Sequence, residues 1–135
     1  MAKEFNLSVV APDRTVFEDS VESAVLPGVE GYLGVLADHE AMIVALRPGV
    51  LEYKGRDEQR HYVSVDGGFA EIGKGRVIVL ADNARRAQEI DIAETEKLLE
   101  EARKALRGES SSMSTEDAQH EMELAVARLR AARTN

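Results

Sequence analysis

Cysteine and tryptophan are absent from this 135-residue chain, and aromatic residues make up only 4% of it. The lack of cysteine removes disulfide frameworks, thiolate metal sites and thiol nucleophiles together, and with them any redox clue to compartment. With so few aromatics, a core has to be built from Val, Leu, Ile and Ala. Basic residues are the minority: 17 Lys and Arg against 25 Asp and Glu give a formal charge of −8. That balance speaks against nucleic acid as a partner, because phosphate binding needs a basic face. No apolar run approaches the roughly 18 residues of a membrane span. The start, Met1-Ala2-Lys3-Glu4-Phe5, goes straight into an alternating pattern, so neither a signal nor a transit peptide is expected. What is present, 44% hydrophobic and 31% charged residues, suffices for one modest, acidic domain or a small domain with an appendage.

The period of the apolar residues changes near residue 83. Before it they alternate: Phe5, Leu7 and Val9 share one face of a strand, with Asn6 and Ser8 on the other. Short apolar runs follow at Val21 to Leu26, Met42 to Leu46, Val50 to Tyr53, Tyr62 to Val65 and Val77 to Leu80. Turn residues separate them at Ala11-Pro12-Asp13, Pro27-Gly28, Arg47-Pro48-Gly49, Lys54-Gly55, Asp66-Gly67-Gly68 and Gly73-Lys74-Gly75. Nine of the ten glycines lie in this half. Many short strands without intervening helices predict an antiparallel sandwich or barrel over residues 1–83.

After Asn83 proline is absent and the apolar period becomes helical. Ile92, Thr95, Leu99, Ala102 and Leu106 form one stripe, and Ala118, Met122, Ala125, Leu129 and Ala132 a second. Gly108-Glu109-Ser110-Ser111-Ser112 reads as a polar linker; Gly108 suits a helix C-cap, and Ser114 with Asp117 suits an N-cap pair. The expected architecture is α+β: an antiparallel β-sandwich, a linker over 84–90, and an antiparallel two-helix hairpin over 91–135. Each helix opens with acids and closes with bases, complementing its dipole. Folded antiparallel, the acidic start of the first helix also lies beside the basic end of the second. The seam is thin, since an alanine methyl contributes only ~0.8 kcal/mol on burial against ~1.5–3 for a leucine side chain. Marginal docking suits a conformational switch, and equally an ordinary weak appendage.

Catalytic patterns are missing. Gly28, Gly31 and Gly34 lack the dinucleotide spacing, and no helix follows them to cradle phosphate. His39, His61 and His120 are widely separated; only His39 has acids beside it, Asp38 and Glu40, and neighbours along a strand point to opposite faces. No serine stands in a nucleophile elbow. The acid pairs Glu18-Asp19 and Asp57-Glu58 read as solvated turns. The expectation is no enzyme, no metal and no cofactor. A sandwich adaptor with a different helix-docking partner is the alternative class, and a metal-dependent jelly-roll enzyme the third, which lacks its clustered histidines.

Several stretches, taken in order, resemble the epsilon subunit of bacterial and chloroplast F-type ATP synthases. They are Leu7-Ser-Val-Val-Ala-Pro-Asp13 with Val16-Phe-Glu18, Leu26-Pro-Gly-Val-Glu-Gly-Tyr-Leu-Gly-Val-Leu36 with His39, and Leu46-Arg-Pro-Gly-Val-Leu51. The likeness continues through Tyr62-Val-Ser-Val-Asp-Gly-Gly-Phe-Ala-Glu71, Val77-Ile-Val-Leu-Ala-Asp82 and Glu89-Ile-Asp91. The resemblance implies a sandwich of about ten strands and a non-catalytic rotor part, peripheral on the cytoplasmic face of a bacterial plasma membrane or the stromal face of a thylakoid. Membrane association then comes only through the complex. The implied partners are the gamma subunit, the membrane ring of c subunits, and the beta and alpha subunits of the catalytic head when the helices extend and inhibit hydrolysis. It also implies c-ring contacts at Glu30, Tyr32 and His39, with Tyr32 standing where the family usually has an acid. The inhibitory contacts it implies are Arg128, Arg130 and Arg133. Some relatives hold ATP at the hairpin through an Ile-Asp-x-x-Arg-Ala motif and arginines of the second helix. Asp91 and Arg128 match that pattern, while Glu94 replaces the motif's arginine and reverses its charge.

Overall fold

The computed structural model describes residues 3–110 and 113–134; Met1, Ala2, Asn135 and the linker residues Ser111 and Ser112 lie outside the described residues. Seven strands come first: β1 (Phe5–Ala11), β2 (Arg14–Gly28), β3 (Gly31–Val35), β4 (Met42–Gly55), β5 (Arg60–Gly73), β6 (Arg76–Ala81) and β7 (Ala84–Arg86). A 3-10 turn at Ala87–Glu89 leads to helices α1 (Ile92–Leu106) and α2 (Thr115–Thr134). β1 pairs antiparallel with β2 and parallel with β6. The order β6-β5-β4-β2 completes a closed circuit, with β3 added to β2 and β7 to β5.

Among the described residues seven strands stand where about ten were expected. Arg47-Pro48-Gly49 and Asp66-Gly67-Gly68 do not end strands; they bend β4 and β5, which run on at 14 residues each. The inward-facing set changes parity at each bend. In β4, Leu46 faces the core before it and Leu51 and Tyr53 after it; in β5, Val63 and Val65 precede Ala70 and Ile72. A strand that changes parity has crossed from one layer of the sandwich to the other, which is how long strands make corners. The core between the layers draws Phe5, Leu7 and Val9 from β1, as their alternation predicts, with Leu26, Leu51, Val65 and Val79 from neighbouring strands.

The β5 corner depends on Gly68. Its φ is +127°, and a Cβ there would lie 2.2 Å from the Leu80 carbonyl oxygen. Gly68→Ala is expected to cost about 3 kcal/mol or more, seen as a lowered urea midpoint with the slope retained.

Residues 84–90, expected as a linker, include β7, whose residues Ala84, Arg85 and Arg86 pair with Val65, Ser64 and Val63 of β5. The Arg14 guanidinium fastens this segment by donating to the Ala84 carbonyl at 2.9 Å and to Glu89 at 3.1 Å. Glu18-Asp19 is no turn, since both residues pair with β1 inside β2. Asp57 does shape a turn: its carboxylate accepts from the Gln59 N–H at 3.0 Å and lies 2.9 Å from His61 Nε2.

The helices start and stop as their caps dictate. Asp91 caps α1 by accepting from the Glu94 N–H at 3.0 Å, and the Ser114 hydroxyl accepts from the Asp117 N–H at 3.1 Å. Gly108, with φ +78°, closes α1: its N–H reaches the Ala105 carbonyl at 3.2 Å, and that of Glu109 reaches Lys104 at 2.9 Å. That pair of bonds is a Schellman motif. Arg133 pairs with Glu96, joining the basic end of α2 to the acidic start of α1.

α2 buries two faces. Met122, Ala125 and Leu129 cluster with Leu99 of α1, Ala118 is buried as well, and Leu124, Ala127, Arg128 and Ala131 are buried on an adjoining face. α2 also lies against β4 and β5. The seam is therefore broader than the hairpin stripe alone implies.

Candidate functional site

The sandwich has two outer faces with different fates. On one, Pro48, Val50 and Glu52 of β4 stand beside Asp66, Ser64 and Tyr62 of β5. α2 covers this side: Arg128 Nη2 donates to Asp66 Oδ2 at 2.8 Å, and a groove lined by Val25, Tyr32, Val50, Tyr62 and Arg130 runs along the boundary. On the other, Ala45, Phe69, Leu80 and Val10 form a row across β4, β5, β6 and β1. Ile43 stands two residues before Ala45 and so shares this face. Exposure there reaches 73% for Ile43, 56% for Phe69 and 53% for Leu80. Large side chains left open in a contiguous row mark a surface built for a partner.

Sequence reasoning missed Phe69 and Leu80, although a signal was present. Val77-Ile78-Val79-Leu80 is apolar at both parities, whereas a strand with one face in water should alternate. Val77 and Val79 supply the core, so Ile78 and Leu80 need separate cover.

A second surface adjoins the first. Val29 and Glu30 form the exposed turn between β2 and β3, pinned where the Val29 N–H donates to the Ala45 carbonyl at 2.9 Å. Gly28 is needed there, because a Cβ would lie 2.7 Å from the Gly31 carbonyl oxygen. Tyr32 follows on β3 at 55% exposure, its hydroxyl 3.5 Å from Arg130 Nη1, the outer limit of a hydrogen bond. His39 lies in the connection from β3 to β4; its N–H donates to the Leu36 carbonyl at 3.1 Å, and Nδ1 lies 2.8 Å from the Glu40 carbonyl. A carbonyl can only accept, so Nδ1 carries the proton. Among the described residues no hydrogen bond or ion pair joins Glu30, Tyr32 and His39 to one another. Exposed Val29, Leu36 and Met42 accompany them, and a groove lined by Glu30, Tyr32, Met42 and Ile43 leads from this turn towards the apolar row.

The arginines of α2 are placed unequally. Arg130 and Arg133 are exposed, whereas Arg128 is buried in its pair with Asp66. Asp91 spends its carboxylate on the α1 cap, and no bond links it to Arg128. Among the described residues no group of His, Asp or Glu is placed to hold a metal ion, and no helix is long and apolar enough to cross a membrane.

The family described as ATP synthase, Delta/Epsilon chain, beta-sandwich domain matches residues 4–87. The ATP synthase epsilon chain of Moorella thermoacetica is 39% identical over 127 residues, which is 94% of this chain and 95% of its own length. That of Nitratidesulfovibrio vulgaris is 38% identical over 130 residues, 96% of each chain. Among solved structures, a chain of the Euglena gracilis mitochondrial ATP synthase (OSCP/F1/c-ring, rotational state 1) superimposes with a TM-score of 0.76 at 28% identity, covering 98% of this chain and 82% of that one. A chain from the Tetrahymena thermophila mitochondrial ATP synthase central stalk and c-ring shares the fold, with a TM-score of 0.60 at 11% identity.

Proposed function

This chain belongs to the delta/epsilon family of ATP synthase subunits, and we propose that it is the rotor part linking the gamma subunit to the c ring. It is a non-catalytic subunit of a membrane-associated complex, peripheral to the bilayer. The observation that carries the coupling role is the division of the sandwich's outer faces. The face with Ala45, Phe69, Leu80 and Val10 offers gamma a rigid apolar row on sheet backbone. The adjoining edge with Glu30, Tyr32 and His39 offers polar, turn-borne groups to the loops of the c ring. Two surfaces on one stiff body transmit torque, because a close-packed core does not yield between them. The cytoplasmic face of the membrane is the matching location. α2, with Arg128, Arg130 and Arg133 after its last acid Glu123, is the element that leaves the sandwich to inhibit hydrolysis in the catalytic head, meeting acidic groups there through charge-assisted contacts.

Nucleotide at the hairpin is not part of this reading. Asp91 and Arg128 have other partners, and Glu94 opposes a triphosphate where an arginine would attract it.

The reading is tested by tagging the chain and isolating it from cells under mild detergent: gamma and c subunits should accompany it in stoichiometric amounts. A narrower test is Glu30→Lys with His39→Asp. ATP-driven proton pumping should fall by about half or more while hydrolysis and sandwich stability persist, since exposed polar changes away from the core cost little stability. Unchanged pumping would remove these residues from the contact.

A further inference from the structure

We infer that the Arg128–Asp66 ion pair is the latch of the helical hairpin, so that one arginine serves the closed state and is handed to a partner in the open one. The inference rests on the reading of α2 as the inhibitory helix and adds the contact that decides when it leaves.

The hairpin touches the sandwich chiefly through α2, since it is α2 that lies against β4 and β5. The face turned away from α1 contains Leu124, Ala127, Arg128 and Ala131. Alanine methyls bring little transfer energy and no orientation. Orientation comes from Arg128, whose side chain is 9% exposed against 11% for Asp66, with Nη2 and Oδ2 at 2.8 Å. Asp66 is the fixed half: it stands at the corner of β5, opposite Pro48, and its N–H donates to the Asn83 carbonyl at 2.9 Å. Arg128 is the half that travels.

The pair holds without holding too firmly. Arg128 Nε is buried and finds no acceptor among the described residues. A dehydrated guanidinium with a donor unspent gains less from closure than a fully bonded one, and desolvation offsets much of the Coulomb attraction. Removing one partner is a different matter, because the other charge is then stranded and closure becomes strongly unfavourable. An imperfect pair of this kind gives a unique docked register together with an accessible release. Once α2 leaves, the charge of Arg128 is added to the basic end of the helix, so release and affinity for an acidic partner rise together.

Asp66→Asn and Arg128→Met break the same latch and differ in what they leave. Asp66→Asn frees an intact Arg128; Arg128→Met frees a helix that lacks it. In the full-length chain, hydrogen exchange across 124–131 should quicken about a hundredfold or more in both variants, while β1 amides keep their protection. Unchanged exchange in α2 for either variant would overturn the latch. So would simultaneous loss of β1 protection in both, since the pair would then belong to the sandwich rather than to the docking of α2. In the assembled enzyme Asp66→Asn should lower ATP hydrolysis further than Arg128→Met, whose released helix keeps only Arg130 and Arg133. Faster α2 exchange in both variants with equal hydrolysis would uphold the latch and count instead against the inhibitory reading beneath it.

Discussion

Replacing Phe69 and Leu80 together by Asp is expected to abolish stable binding of this chain to the gamma subunit, weakening it by about a thousandfold or more. Each side chain is more than half exposed in the free chain, so its apolar surface is available to a partner. Burying such a residue contributes ~1.5–3 kcal/mol, and two lost anchors already approach the ~4 kcal/mol that a thousandfold represents. Two carboxylates desolvated against an apolar surface add a further penalty. The fold should survive, because both side chains point away from the core that Ala70, Val77 and Val79 fill. Titration of purified gamma with wild-type and doubly substituted chain, monitored by calorimetry, reads the difference directly. Equal affinities would move the gamma contact off this face.

Deleting residues 114–135 is expected to raise ATP hydrolysis by the assembled synthase about two- to tenfold, corresponding to ~0.4–1.4 kcal/mol of inhibitory bias removed. Assembly should be unaffected, since the apolar row and the Glu30 turn lie on β strands and their connections. The truncated sandwich loses the cover over Val50, Ser64 and Tyr62, and Asp66 returns to water without its arginine. A Tm lowered by a few degrees is the matching stability change. Arg130→Ala with Arg133→Ala should reproduce part of the rise, because these two are exposed in the closed hairpin and their loss leaves the Arg128–Asp66 pair in place. Hydrolysis that stays at the wild-type level in the truncated enzyme would remove the inhibitory role from these helices.

The two-part architecture was legible because hydrophobic period is a local property. Phe5, Leu7 and Val9 alternate whatever surrounds them, and Thr95, Leu99 and Ala102 step as a helix before any partner is known. Gly108 and Ser114 announced helix ends for the same reason: a cap is decided by a few backbone groups nearby. Strand number was not local. Pro48 and Gly68 bend a chain in the same way at a turn and at a corner between layers; only the pairing of β4 with β5 through both positions tells the two apart. The burial of Arg128 was hidden for a similar reason. Its neighbours Arg130 and Arg133 suggest a solvated basic end, and its burial depends on Asp66, 62 residues earlier. Asp91 partly matches a nucleotide motif of some relatives, and its cap to the Glu94 N–H, three residues on, was legible in the same short stretch. The exposed row at Phe69 and Leu80 was half legible, in the unbroken apolar run of β6.

Mechanical joining of gamma to the c ring is the role proposed for this chain. Its most direct measurement is ATP-driven proton uptake by liposomes holding the synthase depleted of this chain, followed by add-back. Depleted enzyme should hydrolyse ATP and take up almost no protons; the wild-type chain should restore uptake, and the chain with Phe69→Asp and Leu80→Asp should not. Full proton uptake by the depleted enzyme, unchanged on add-back, would contradict the account.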